Sequence, residues 1–325
     1  MKRTAIYLIL AMAPAVAQQP RLTNAQVLSQ AISGPLEQEF KKIVAAQSTP
    51  AWVGYAVAKV PGENNACCWY NDNWGNYRGC MLEGGRPSTA GGNVTPAGPV
   101  MLEGPSHVVV LFRAAAGVVE RIRVFSLDCE LDAGGLPVHW LSGVKPAESI
   151  ALLEGFVREA GMNERRGNRN AEAAGHAIAL HADPAGAAAV DRFLREDQPV
   201  WLRKQAVFWS TQYRGDLGIE RALKLAKEDK SAEVRSQALF WLAQRAGNKA
   251  IGAIQESIDS DPDTKVKEQA VFALTQLPKD EGVPALIQVA RTNKNAAVRK
   301  RAFFWLGQSK DARAIRYLEE VLTGK

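Results

Sequence analysis

The segment Leu202-Arg203-Lys204-Gln205-Ala206-Val207-Phe208-Trp209 is followed by three further octets of the same pattern, starting at Val234, Val266 and Val298, at an unvarying interval of 32 residues. Each octet has the apolar spacing of one helix face and follows a polar turn. Ahead of that turn lies another helix, seen in Gly218-Ile219-Glu220-Arg221-Ala222-Leu223-Lys224-Leu225-Ala226, and Ile251, Val283 and Ile315 follow Ile219 at the same interval. A weaker copy sets Ala174 one interval ahead of Ala206, and Gly186 to Leu194 supplies its following first helix. Units of this size bury their apolar faces only by stacking on one another. Residues 170–325 are therefore expected to form an all-α solenoid of about five helical hairpins. Such a stack presents an extended surface, so binding is the first functional expectation.

Reading the octets by column separates roles. With the Leu or Val before the basic residue as position zero, positions 0, 4, 7 and 8 share one helix face, which assigns Trp209, Trp241 and Trp305 to packing. Position 6 lies about 145° from the centre of that face at roughly 100° per residue. It is nevertheless Phe208, Phe240, Phe272 and Phe304. Positions 3 and 10 flank it with Gln205, Gln237, Gln269 and Arg301, and with Gln212, Gln244, Gln276 and Gln308. Apolar rings rimmed by amides are the chemistry of a protein or peptide contact. Packing between repeats is the alternative, because Val207, Leu239, Val271 and Phe303 at position 5 already widen the apolar arc.

The turns carry Asp197, Asp229, Asp261 and Asn293, and the second helices open with Arg203, Arg235, Lys267 and Arg299 after a Leu or Val. In this recurring pair the chain resembles the HEAT-repeat proteins, in particular the short bacterial type also called phycobilisome-lyase-like, over about half its length. The resemblance implies that the Asp and basic residues form a structural ladder between neighbouring repeats, not a phosphate-binding stripe. It also implies that the second helices line a concave surface, along which the Phe and Gln columns would meet a protein or peptide partner. Two families with similar helical repeats have enzymatic chemistry. Deoxyhypusine hydroxylase holds iron through His-Glu pairs, and none of the four histidines here precedes a Glu. Bilin lyases attach pigment to partner proteins, an activity that likeness of the repeats alone does not carry.

The first half of the chain has a different character. Lys2 and Arg3, an apolar run from Ala5 to Ala13 and the site Ala15-Val16-Ala17 form a signal-peptide pattern over residues 1–17. No later stretch reaches the roughly 20 apolar residues that a membrane span needs. The protein is expected to be exported, periplasmic or extracellular, without a span after processing. Asn24 to Gln47 has helical spacing with a break at Gly34-Pro35, and Trp52 to Val60 reads as a strand. His107 to Arg113 and Val118 to Phe125 flank Ala114-Ala115-Ala116-Gly117, a hairpin signal. A short strand over Leu136 to Leu141 and a helix over Pro146 to Ala160 complete residues 18–160 as a small α+β domain with an antiparallel sheet. Residues 161–169 form a linker.

Residues 61–106 make a long Gly, Pro and Asn-rich loop that holds Cys67, Cys68 and Cys80. Cys129 follows the hairpin. Four cysteines in an exported chain imply two disulfides. A direct Cys67 to Cys68 bond would be strained, so Cys80 and Cys129 should each take one of the adjacent pair, in an order left open. The spacing fits neither a redox C-x-x-C nor a zinc site, and no metal or cofactor is expected. Trp69, Tyr70, Trp74 and Tyr77 in this loop suit saccharide stacking or the loop's own small core. Asp128, Glu130 and Asp132 alternate beside Cys129, a pattern for calcium or catalysis, or a solvated turn. No catalytic arrangement stands out, so enzymatic or saccharide-binding activity in this domain is the alternative function. Without Lys2 and Arg3 the formal charge falls from +6 to +4, with acidic and basic residues interspersed. That lacks the clustered basic stripe of a nucleic-acid partner.

Overall fold

The structure is a computed structural model that describes residues 19–62, 66–72, 75–84, 106–159 and 166–324. The signal segment, most of the 61–106 loop and most of the linker lie outside the described residues. Those described form two compact units. One comprises residues up to Val57 and from Gly62 to Glu148, the other Ala58 to Pro61 and from Ser149 onward.

In the first unit β1 (Arg21–Thr23) and β2 (Gln26–Ala31) precede α1 (Leu36–Ala45) and β3 (Ala51–Ala58). After them come β4 (Trp69–Asp72), β5 (Gly75–Met81), β6 (His107–Ala115), β7 (Val118–Ser126), β8 (Glu130–Asp132) and β9 (Pro137–Ser142). The sheets are ordered β2-β9-β3-β6-β7 and β1-β8-β5-β4. β6 and β7 pair antiparallel across Ala116 and Gly117, both at positive φ, which suits the twist of a tight hairpin. β9 runs parallel to β2 and β3, and β8 runs parallel to β1 and β5. The sheets are thus mixed, where sequence spacing had suggested only antiparallel pairing. β4 and β5 form a second hairpin inside the stretch expected to be a loop.

The helix expected over Asn24 to Gln47 is instead the strand β2 followed by α1. Gln26–Ala31 pairs residue for residue with Pro137–Ser142, and that long-range ladder outweighs weak local spacing. After Gly34-Pro35, α1 buries Leu36, Phe40 and Val44 on one stripe, with Phe40 edge-on to Phe112 of β6 at 4.7 Å. Trp52, Leu82, Val109, Leu111, Phe125, Leu131, Val138 and Trp140 form a buried cluster around Cys80 and Cys129. Cys67 is bonded to Cys129 and Cys68 to Cys80, with Cα separations of 5.6 and 5.1 Å. Two adjacent cysteines thereby tie one segment to the start of β8 and to β5.

The second unit holds α2 (Pro146–Glu159), α3 (Arg166–Leu180), α4 (Pro184–Phe193), α5 (Val200–Tyr213), α6 (Gly215–Glu228) and α7 (Ala232–Arg245). α8 (Asn248–Ser260), α9 (Thr264–Leu274), α10 (Lys279–Thr292), α11 (Ala296–Gln308) and α12 (Ala312–Thr323) follow. Most of α2, expected in the first domain, belongs here: Ser149 Oγ bonds His181 at 3.0 Å and Glu154 pairs with Arg192. The four octets lie in α5, α7, α9 and α11. These second helices pack on one another more extensively than α6 packs on α8 or α10 on α12. Close helix contact needs glycine at two turns of the stack. A Cβ on Gly218 would fall 2.0 Å from the Ser210 carbonyl oxygen, and one on Gly282 would fall 2.3 Å from that of Leu274.

Candidate functional site

The turn before each second helix is built the same way in three successive repeats. Asp229, Asp261 and Asn293 each accept the backbone N–H two residues on, from Ser231, Asp263 and Asn295, at 2.7, 2.8 and 2.9 Å. This Asx turn leaves the carboxylates of Asp229 and Asp261 facing the preceding repeat. Arg203 Nη1 donates to Asp229 Oδ1 at 2.7 Å, and Arg235 donates to Asp261 at 2.7 and 3.0 Å. Both pairs are buried, and the hydrogen bond to Asp261 raises the pKa of Arg235. The other residues of the column stand apart. Asp197 pairs with Arg195 inside its own exposed turn, Lys267 donates to the carbonyl of Asp259 at 2.6 Å, and Arg299 donates to that of Asn293 at 2.8 Å. A carboxylate replaced by Asn293 accounts for the gap at Lys267, and Ala171 in place of a donor accounts for that at Asp197.

The Phe column stands beside a second row of rings. Phe208 lies 4.6 Å from Trp241, and Phe240 lies 4.9 Å from that same indole. Phe272 and Phe304 flank Trp305 at 5.0 and 4.9 Å. Position 7 is Ala273 in the intervening repeat, and there Phe240 stacks directly on Phe272, 6.0 Å apart and nearly parallel. Phe208 also meets Tyr213 at 6.3 Å, which stacks on His176 and shares a 2.9 Å hydrogen bond with it. The rings therefore run from α3 to α11 as one ribbon. Phe208, Phe240 and Phe272 are half-buried, and Phe304 is 50% exposed.

This corrects the assignment of the three tryptophans. Trp209 is core, with Gly175 leaving room for its ring, since a Cβ there would fall 2.1 Å from the indole. Trp241 and Trp305 are half-buried and belong to the ribbon. Position 7 lies at the margin of the inward face, so a ring as large as indole reaches past it to the Phe of the preceding repeat. The amides form a parallel rim: Gln244 Nε2 donates to Gln276 Oε1 at 2.6 Å across the repeat interval, Gln212 is half-buried and Gln308 exposed. A shallow groove beside the ribbon is lined by Gln237, Phe240 and Gln269, with Lys204, Glu233, Asp263 and Lys265 at its edges. Lys204 and Glu233 bridge two repeats at 2.8 Å.

In the first unit the alternating acids are engaged locally. Glu130 pairs with Arg21 at 3.3 Å, and Asp132 accepts from Asn24 Nδ2 and from Gly134 N, each at 2.8 Å. Asp128 lies near Cys67 and Cys129, whose sulfurs are joined to each other. Trp74 lies outside the described residues, as do the side chains of Trp69, Tyr70 and Tyr77.

A nearest-neighbour stack of helical hairpins with a continuous aromatic and amide row defines the class: an α-solenoid with one chemically distinct face. Residues 253–325 match the family model for HEAT repeats, and the helical half is a HEAT-repeat solenoid. No curated protein matches the chain. Among solved structures, YibA of Escherichia coli is similar at 19% identity, covering 57% of this chain and 71% of its own, with a TM-score of 0.37. An engineered protein is similar at 18% identity, covering 54% of this chain and 51% of its own, with a TM-score of 0.28. No helix among the described residues is long and apolar enough to cross a membrane.

Proposed function

We propose that the protein is an exported, non-catalytic interaction scaffold that binds an extended polypeptide along the second helices of its solenoid. The observation that carries this reading is the ribbon itself. Stacking of repeats is accounted for by the buried aliphatic columns and by the Arg203–Asp229 and Arg235–Asp261 pairs. It does not require half-exposed rings on four successive second helices. The closer packing of second helices on one another supports placing their outer face on the inside of the curve, where rings and amides face a common groove. Aromatic faces supply contact area at low entropic cost, and an amide can donate to or accept from the main chain of an extended ligand. The basic, apolar and small-residue pattern of residues 1–17 and the paired cysteines support export.

The test uses the two half-buried tryptophans as reporters. Peptides selected from a displayed random library on the oxidised protein should shift its tryptophan fluorescence. They should bind a Phe240→Ala, Phe272→Ala variant at least about tenfold more weakly, the equivalent of about 1.4 kcal/mol. Selected peptides that bind both proteins equally would remove the groove as the site.

A further inference from the structure

The chemistry of the aromatic ribbon narrows what can lie on it. Its rings meet one another directly, from 4.6 Å between Phe208 and Trp241 to 6.0 Å between Phe240 and Phe272. The indole nitrogens of Trp241 and Trp305 are buried and have no hydrogen-bond partner among the described residues, so their N–H groups do not reach a ligand. Hydrogen bonding along the ribbon is therefore confined to its borders, where position 10 is Gln in four repeats and position 3 is Gln in three. Charge stands at the margins. Lys204 and Glu233 satisfy each other at the groove edge at 2.8 Å, and Arg301 lies over the rings of Phe304 and Trp305 at one end. A ligand that brought charge onto the central rings would lose hydration and gain no partner.

The same reasoning applies to the ligand's main chain. An ordinary extended peptide carries one N–H donor per residue, and a donor laid over the rings would be desolvated without an acceptor. Proline carries none, and its own ring offers apolar surface to an aromatic face. Its carbonyl oxygens remain as acceptors for the rim amides. Gln244 uses one amide hydrogen to bridge to Gln276 and keeps a second for a ligand. Spacing points the same way. Packed helices lie about 8–10 Å apart, and a polyproline II helix advances about 9.3 Å in each turn of three residues. A β-strand returns a side chain to one face after about 6.6 Å, short of the next helix. One polyproline II turn per repeat keeps a ligand in step with successive rim amides.

We propose, on the basis that the ribbon is the binding surface, that its ligand is an uncharged, proline-rich segment in the polyproline II conformation, with one turn over each second helix from α5 to α11. The Phe column spans three repeat intervals, which roughly 9–12 such residues fill. The probes are oligoprolines of roughly 6, 12 and 18 residues, titrated onto the full oxidised chain and read by tryptophan fluorescence. The middle length should bind at least about tenfold more tightly than the shortest, and the longest should gain no more than about threefold beyond it. Phe240→Ala with Phe272→Ala should weaken the middle length at least about tenfold. Gln244→Leu with Gln276→Leu leaves the rings in place, removes two rim donors and should weaken it about fivefold. Library-selected peptides that require the two Phe, yet hold no excess of proline and are not displaced by oligoproline, would overturn the proline assignment and leave the ribbon as the binding surface. If no peptide of any kind requires the two Phe, the binding surface fails and the assignment with it. Affinity that is indifferent to length, or to both double variants, would contradict one turn per repeat along the rings.

Discussion

The two units solve the same problem of burying apolar surface by opposite means. In the helical unit almost every stabilising contact joins residues within one hairpin or between adjacent hairpins, so each interface is a copy of the last. In the first unit β9 is inserted between β2 and β3 from far along the chain, and two disulfides fasten Cys67 and Cys68 to the start of β8 and to β5. Repetition thus makes the helical unit divisible, with losses confined near the change. Long-range closure makes the first unit depend on a few links.

That contrast can be broken most severely at the cysteines. The bonds close separations of 62 and 12 residues, which on loop entropy stabilise the unit by about 4 and about 3 kcal/mol. Denaturant unfolding with and without reductant should show the near-ultraviolet signal of the first unit moving to lower denaturant, while the helical signal at 222 nm stays within error. Next in size, Arg235→Ala strands the carboxylate of Asp261 in a buried site and should cost about 3 kcal/mol, read from the helical transition. Arg299→Ala removes only bonds to carbonyl groups and should cost less than about 1 kcal/mol, so the pair separates a finished rung from an unfinished one.

A pH series sharpens the same comparison. His181 is fully buried, donating from Nδ1 to the Ala177 carbonyl at 2.7 Å while Nε2 accepts from the Ser149 hydroxyl at 3.0 Å, an arrangement that suits the neutral ring. Burial pushes its pKa from 6.5 down to about 4, and that of His176 likewise. Between those values the unfolded chain holds protons that the folded chain refuses. This contribution is complete above pH 6.5 and is lost as pH falls toward 4, at up to about 1.4 kcal/mol per unit for each histidine. The helical transition should weaken from pH 7 to 5, and His181→Gln should flatten that slope from a lower starting stability. Smallest of all, Gln244→Ala removes one exposed amide bridge to Gln276 and should change stability by no more than about 0.5 kcal/mol. Its effect belongs to ligand binding.

How much was legible in sequence follows from the same difference. The solenoid announced itself because identical residue types in one column face identical surroundings, and the Asp229 and Arg235 columns carried their partners with them. The Trp column misled because position alone does not show how far an indole extends. At Ala273 the missing ring even changes which residues touch. In the first unit the hairpin of β6 and β7 was readable from its turn, whereas β2 was not. Only Val27 of β2 is half-buried, so no alternation marks it as a strand, and the partner that makes it one lies beyond any local window. Parallel pairing leaves no turn signal between its strands.

The claim that the ribbon is the binding surface is tested most directly by site-specific photo-crosslinking in the cell of origin. A photoreactive side chain would be placed at Phe240 or Gln276 on the second helices, and at Gln288 or Lys224 on the first helices. The account expects a discrete adduct from the second-helix positions and none from the first-helix positions. Adducts of equal yield from both faces, or from the first-helix positions alone, would contradict it.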